Sequence, residues 1–417
     1  MTTPPRTTRP TKAEAAGVSA ARIRLGRVFR VESKDYFLLV GTTIFLVVFG
    51  LVMVLSSSSV ESNIEDGGFF VQASRQGLYA LFGIPIMLIA SRMPERFWMR
   101  WAWLALILSC ALQVLVVATP LGITVGGNTN WLALGPVQFQ PSEIIKVALV
   151  IWLGLIVTKK QALLGEFRRG ILPILLVGGG AIGLVLLGGD LGTVMVMGAM
   201  LLGALFLIGV RFRLLLPPLL IAIAVVVIFA VSSESRMERL TAFLGETCVD
   251  YDVGGCWQIQ HGRFALANGG IFGVGLGNST AKWSWLPAAD NDFIFAIIGE
   301  ELGLIGAVVV IGLFVVLAIA FARVLRAART PFAKAVTAAV LVWVVGQACV
   351  NIGVVLGVFP VLGVPLPLVS AGGTALLTTL FAIGVVLSVA RDPEAATRAA
   401  ERAQAKAAAA ATGRTAR

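Results

Sequence analysis

At 417 residues the chain is long enough for two or three soluble domains, but 58% of it is hydrophobic and only 13% charged, against about 45–50% and 25% in soluble proteins. The mean hydropathy of +0.91 excludes that reading and predicts an integral membrane protein, with the bilayer as its solvent. The net charge of +11, from 33 basic and 22 acidic residues, would suggest nucleic acid in a soluble protein; where the charges fall along this chain makes them a signal of orientation instead.

Residues 1–35 are polar and basic, too poor in apolar side chains to fold alone. Ten apolar runs follow, at 36–57, 76–92, 98–119, 142–158, 170–188, 191–210, 214–232, 292–322, 334–357 and 373–390. Each has about the length that a membrane-spanning helix needs. The runs are continuous rather than alternating, so they predict an all-α polytopic membrane protein with about ten transmembrane helices, not a barrel. With the N-terminus in the cytoplasm, 27 of the 33 basic residues fall on cytoplasmic segments, and the positive-inside rule places both termini there. The cytoplasmic side then sums to +19 and the outer side to −8. The expected organisation is a disordered basic cytoplasmic tail (1–35), a transmembrane domain (36–391) with a large extracytoplasmic loop between the seventh and eighth spans (233–291), and a cytoplasmic Ala/Arg-rich tail (392–417).

Polar residues at membrane depth are costly and usually functional. The first group is Phe139-Gln140-Pro141-Ser142-Glu143-Ile144-Ile145-Lys146. Pro141 suits a first helical turn, Glu143 is favoured by the helix dipole, and Glu143 and Lys146 share one helix face, as a structural ion pair or as functional groups. Asp190-Leu191-Gly192-Thr193 opens the sixth span, where Asp190 reads equally well as a helix cap. The long loop holds Cys248 and Cys256, with Gly254 and Gly255 between them. In an oxidising compartment this spacing favours a local disulfide. It also holds Trp257-Gln258-Ile259-Gln260-His261, with the only histidine of the chain, which makes His-rich metal sites and a Ser-His-Asp triad improbable. Gly273-Val274-Gly275-Leu276-Gly277 lacks the Lys-Ser/Thr of a phosphate loop and reads as a re-entrant turn.

Asp292 stands where the loop enters the eighth span, and Glu300 and Glu301 lie about two turns deeper, roughly 12–14 Å at 1.5 Å per residue. Capping does not explain two acids at that depth. They predict a cation partner or a cavity, and with Asp292 they would suit Mg²⁺ or Mn²⁺ through carboxylate and water ligands. Finally, Phe359 to Gly373 contains three prolines among its glycines and cannot be regular helix, so it should line a cavity or lie buried in protein.

In this order the motifs FQPSEIIK (139–146), DLGT (190–193), GGIFGVGLGNS (269–279), LPAADNDFIFAIIGEELG (286–303) and PLPLVSAGG (365–373) resemble the SEDS family (shape, elongation, division and sporulation) of peptidoglycan glycosyltransferases. The resemblance covers roughly 36–391. The wording of its motifs is most similar to the cell-division branch in high-GC Gram-positive bacteria, with the elongation branch as the alternative. It implies polymerisation of lipid II into glycan strands at the outer face of the cytoplasmic membrane, at the division septum, with inversion at the sugar. It also implies a class B penicillin-binding protein transpeptidase and other division proteins as partners. The family's essential acid falls on Asp292. A base is needed near the acceptor hydroxyl and cations near the departing diphosphate. Candidate substrate-binding groups are therefore Glu143, Lys146, Asp190, Arg263, Lys282, Gln258 and Ser370. Arg236 and Arg239, with Lys146, Arg263 and Lys282, complete a short list of outer basic residues that could receive the diphosphate. The intramembrane acids and broken helices also occur in carriers, so a lipid II flippase is the alternative function; the gathering of the polar groups toward one face argues against it.

Overall fold

The computed structural model describes residues 33–65, 68–125, 128–134, 137–244, 255–283 and 286–391. Nearly all of both expected tails, and Cys248, lie outside the described residues, as does the side chain of Cys256. The chain divides into the terminal segments and a unit spanning Asp35–Ala390, which holds the apolar helices.

All ten apolar runs are helices. They are α1 (Lys34–Glu65), α2 (Val71–Ala90), α3 (Glu95–Ala118), α4 (Pro141–Lys160), α5 (Leu172–Leu187), α6 (Leu191–Leu207), α7 (Phe212–Val231), α10 (Ile294–Ala327), α11 (Pro331–Val355) and α12 (Gly373–Ala390). Among the described residues nine are long and apolar enough to cross a membrane, and α6 is a shorter apolar helix. The long loop is more ordered than its sequence suggests, because it carries α8 (Glu234–Leu244) and α9 (Gly255–Gly269). A small antiparallel sheet joins α3 to α4, with strands β1 (Gly122–Val125), β2 (Asn128–Leu134) and β3 (Val137–Phe139). Its strands are too short for periodicity to reveal beside the long apolar runs.

The helix starts follow local chemistry. Thr330 caps α11 by accepting from the Ala333 N–H (3.1 Å), with Pro331 in the first turn. Pro141 opens α4 in the same way. Between Pro141 and Val157 only Ile144 of α4 escapes burial, so this helix is the axis of the bundle, flanked by α3, α11 and α12. By contrast α7 buries only Leu215 and turns Leu220, Ile221 and Ile228 outward, as a helix facing lipid does.

At one end of the bundle, Asp35 pairs with Arg323 (2.7 Å) and the Thr330 hydroxyl donates to Glu95 (2.9 Å). The opposite end holds the sheet, α8, α9 and the irregular stretch before α12. There α10 is interrupted: Gly303 takes φ +68°, and the helix restarts after it. The segment following α9 repairs the break. The Val274 and Gly275 N–H groups donate to the Glu300 and Glu301 carbonyls (3.0 Å each), and the Leu304 N–H donates to the Gly270 carbonyl (2.9 Å). Gly273, at φ +79°, lies so close that a Cβ would come within 2.2 Å of the Glu301 carbonyl oxygen. This is why the Gly-rich motif is there: it supplies the hydrogen bonds that a broken membrane helix would otherwise lack.

Candidate active site

The end of the bundle that carries the sheet encloses a cavity of about 310 Å³. Its wall is assembled from five separate parts of the chain: β2 (Asn128, Asn130, Trp131), the start of α4 (Gln140, Glu143), the start of α6 (Asp190), α8 (Arg236, Arg239) and the loop before α10 (Asn291, Asp292), closed by the irregular segment Pro360–Gly372. Asp190 does cap α6, accepting from the Thr193 N–H (2.9 Å), but its second oxygen also accepts from the Gln140 side chain (3.0 Å). It is therefore cap and cavity wall together. Gly192 makes this possible, since a Cβ there would stand 2.2 Å from the Leu362 carbonyl oxygen. The start of α6 can thus press against the segment that also faces Asp292.

Glu143 lines the cavity and forms a buried ion pair with Lys146 at 2.7 Å. Lys146 itself points into protein, above the Trp343 ring (4.8 Å to its centre) and 3.5 Å from Gln347 Oε1. Glu143 also accepts from the Thr378 hydroxyl (3.2 Å). Beside Asp190, Arg236 donates to the Gly189 carbonyl (2.8 Å) and to Asn128 Oδ1 (3.4 Å), and stacks on Phe229. Arg239 lines the same cavity.

Asp292 sits in the turn ahead of α10, outside the helix. Its carboxylate Oδ1 is buried without a hydrogen-bond partner. Burial pushes the carboxyl up to about 7; the Arg239 charge pulls against this, while Asp190 and Asp290 add to it. A carboxylate poised near neutrality beside an open volume has the protonation behaviour of a general base.

The remaining residues singled out in the sequence have other partners. Lys282 is buried and paired with Glu301 (3.6 Å), whose carboxylate also accepts from the Ser56 hydroxyl (2.7 Å). Glu300 accepts from Asn268 (2.8 Å), the Thr280 hydroxyl (2.7 Å) and N–H (3.1 Å), and Ser279, and so staples the loop after α9 to α10. The two deep acids are thus structural anchors, separate from Asp292. No cluster of three His, Cys, Asp or Glu suited to a metal occurs among the described residues. Arg263 is exposed and lies against Gly357, away from the cavity lining. Gln258 donates to the Pro287 carbonyl (3.1 Å), and Ser370 donates to the Asn291 carbonyl (2.6 Å) while accepting from the Leu366 N–H (2.8 Å). Both shape the loop that carries Asp292. Replacing Lys282 with methionine should strand the Glu301 charge and destabilise the protein by about 3–5 kcal/mol; thermal unfolding in detergent measures this, and an unchanged midpoint would remove the anchoring role.

Asp292, Asp190 and Glu143, expected together at the outer face, all line this cavity; Gln140, from the motif that holds Glu143, and Asn128, Asn130 and Trp131 of β2 complete its wall. In the sequence Arg236 and Arg239 stand only in a wider list of basic residues. The available signal was that both arginines lie on one short amphipathic stretch just beyond the seventh apolar run.

Residues 36–395 match the family FTSW_RODA_SPOVE, described as cell cycle protein. The chain is 38% identical over 389 residues to "Probable peptidoglycan glycosyltransferase FtsW" of Mycobacterium tuberculosis, covering 93% of this chain and 74% of that protein. It is 37% identical to the protein of the same name from Trichlorobacter lovleyi, covering 88% and 95%. Among solved structures, one described as structural coordination of polymerization and crosslinking by a peptidoglycan synthase complex aligns with a TM-score of 0.68 at 26% identity, over 87% of this chain and 98% of that one. A variant of the rod shape determining protein RodA of Thermus thermophilus aligns with a TM-score of 0.61 at 25% identity, over the same shares.

Proposed function

The chain belongs to the FtsW, RodA and SpoVE family of cell cycle proteins and is a multi-pass membrane peptidoglycan glycosyltransferase of the FtsW type, and we propose that it polymerises lipid II in the cavity that Asp190, Asp292 and the α8 arginines line, with Asp292 as general base. The observation that carries this reading is the juxtaposition, in the lining of one cavity, of a half-buried carboxylate whose Oδ1 has no hydrogen-bond partner and two arginines.

The chemistry is a direct displacement. The acceptor sugar's 4-hydroxyl gives its proton to Asp292 as its oxygen attacks the anomeric carbon of the donor. The bond from that carbon to the undecaprenyl diphosphate breaks, and the diphosphate leaves carrying the electron pair. Inversion follows from a single attack on the face opposite the leaving group. Arg236 and Arg239 receive the negative charge as it builds on the diphosphate. Asp190 and Glu143, both with acceptor oxygens at the cavity, hold sugar hydroxyls, and Lys146 holds Glu143 in place through their ion pair.

The cavity faces outward if the end carrying Arg92, Arg96, Lys159 and Lys160 is cytoplasmic, as the positive-inside rule requires. The enzyme would then act on lipid II at the outer face of the cytoplasmic membrane, at the septum, beside a class B penicillin-binding protein that cross-links the new strands. The matched synthase complex, which couples polymerization to crosslinking, supports that partnership. The test is purified protein with labelled lipid II, with and without the class B partner. Glycan strands are expected, in greater yield with the partner. Translocation of lipid II across vesicles with no polymer in either condition would favour the flippase reading.

A further inference from the structure

Along α11 three polar side chains occur at intervals of four, Trp343, Gln347 and Asn351, and so share one face. That face is buried and meets the irregular segment that closes the cavity. Gln347 Oε1 accepts from the Trp343 ring N–H (3.1 Å) and faces Lys146 Nζ (3.5 Å), while its Nε2 donates to the Pro365 carbonyl (2.8 Å). One turn on, Asn351 is 1% exposed, and its Nδ2 donates to two carbonyls at once, those of Asp292 and Val364, at 2.8 Å each. Both amide hydrogens are used, and both partners are acceptors, so the orientation of the amide is unambiguous.

These two bonds act on the Asp292 residue itself. Asp292 lies in a turn, without the backbone hydrogen-bond ladder of a helix, and Val364 lies in the irregular stretch before α12. Asn351 ties them together from behind. Gly363, next to Val364, lies beside the Asp292 carboxylate, where a Cβ on it would be in van der Waals contact with Oδ2 (3.6 Å). The depth of the carboxylate in the cavity is therefore set by where the Asp292 backbone is held relative to residues 363–364. Ser370 fastens the preceding residue, through the Asn291 carbonyl, to the same segment.

We propose that Asn351 is a positioning residue for the glycosyl transfer: its single amide, shared between the carbonyls of Asp292 and Val364, holds the base at reacting distance from the acceptor hydroxyl. This rests on the reading of Asp292 as the base. Only a side chain with two N–H donors on one atom can make the clamp at this length. Aspartate, of the same size, would present oxygens to two carbonyls and push them apart, and alanine would leave both unpaired.

The experiment is steady-state kinetics of Asn351→Ala and Asn351→Asp in full-length protein purified in detergent, with lipid II as substrate and rates expressed per monodisperse molecule. For both, kcat should fall by about 100-fold, the scale of a ~1 Å misplacement of a reacting group, with KM for lipid II within about threefold of the parent. Asn351→Asp should be the slower of the two. Should the aspartate variant fail to fold, the alanine variant decides alone. A kcat within threefold of the parent overturns the proposal. So does a loss carried by KM, which would make Asn351 a binding residue, and so does a lowered unfolding temperature with undiminished kcat, the mark of a purely structural bond. Asp292→Asn, assayed in parallel, separates the two readings: full activity there removes the base itself, whereas an inactive Asp292→Asn beside a fully active Asn351→Ala removes only the clamp.

Discussion

Replacing Asp292 with asparagine should reduce glycan synthesis from lipid II by about 10²–10⁴-fold, the usual contribution of a positioned general base, which is roughly 3–5 kcal/mol of barrier at 1.36 kcal/mol per tenfold. The change keeps size and shape and removes only the ability to take a proton. Folding should be spared, because Oδ1 has no hydrogen-bond partner to lose. The same group predicts the pH profile. Burial raises the carboxyl to about 7, and the active form is the deprotonated one. The rate should therefore be full above that value and fall about tenfold per pH unit below it. Initial rates from pH 5.5 to 9 check both points. A parent enzyme with a flat profile, or an asparagine variant at the parental rate, would remove Asp292 from the proton transfer.

The second large effect belongs to the arginine wall. Substituting Arg236 and Arg239 together with alanine should cost about 10²–10³-fold in kcat, the scale of losing preorganised charge at a developing anion. The two singles should differ in how well lysine replaces them. Arg236 uses its planar fork to reach the Gly189 carbonyl and Asn128 while stacking on Phe229, so Arg236→Lys should recover little. Arg239→Lys should recover more, if charge beside the diphosphate is its main contribution. Arg263→Ala serves as the control, because Arg263 lies away from the cavity lining; its rate should stay within about threefold. Single-turnover kinetics with preformed polymer as acceptor would separate loss of chemistry from loss of binding. A double alanine variant at the parental rate would place the diphosphate elsewhere.

The fold was largely legible without coordinates. Ten apolar runs became ten helices because a bilayer leaves the backbone no other open-ended solution, and run length alone reports that constraint. Sheet β1–β3 and helices α8 and α9 were not legible. They lie outside the apolar runs, where short segments are held by tertiary contacts instead of by their own patterning. The site was legible in its acids and much less so in its cations. Asp190, Glu143 and Asp292 declared themselves by sitting at the mouths of apolar runs, where a carboxylate is expensive. Among the basic residues expected outside, the sequence put Lys146, Arg263 and Lys282 first, yet Lys282 is consumed by Glu301, Lys146 by Glu143, and it is Arg236 and Arg239 that reach the cavity.

What the amino-acid sequence determined by itself was therefore everything governed by the cost of polarity in lipid: the class of fold, the number of apolar helices, the expected orientation, and which acids need explaining. That cost is local and shows wherever it is incurred. Only the tertiary structure decided how those charges are shared out. Whether a carboxylate is an anchor, as Glu300 and Glu301 are, or is left without a partner beside a cavity, as Asp292 is, depends on which side chain from a distant helix arrives within about 3 Å. Such pairings span more than two hundred residues between Ser56 and Glu301 and leave no periodic trace along the chain.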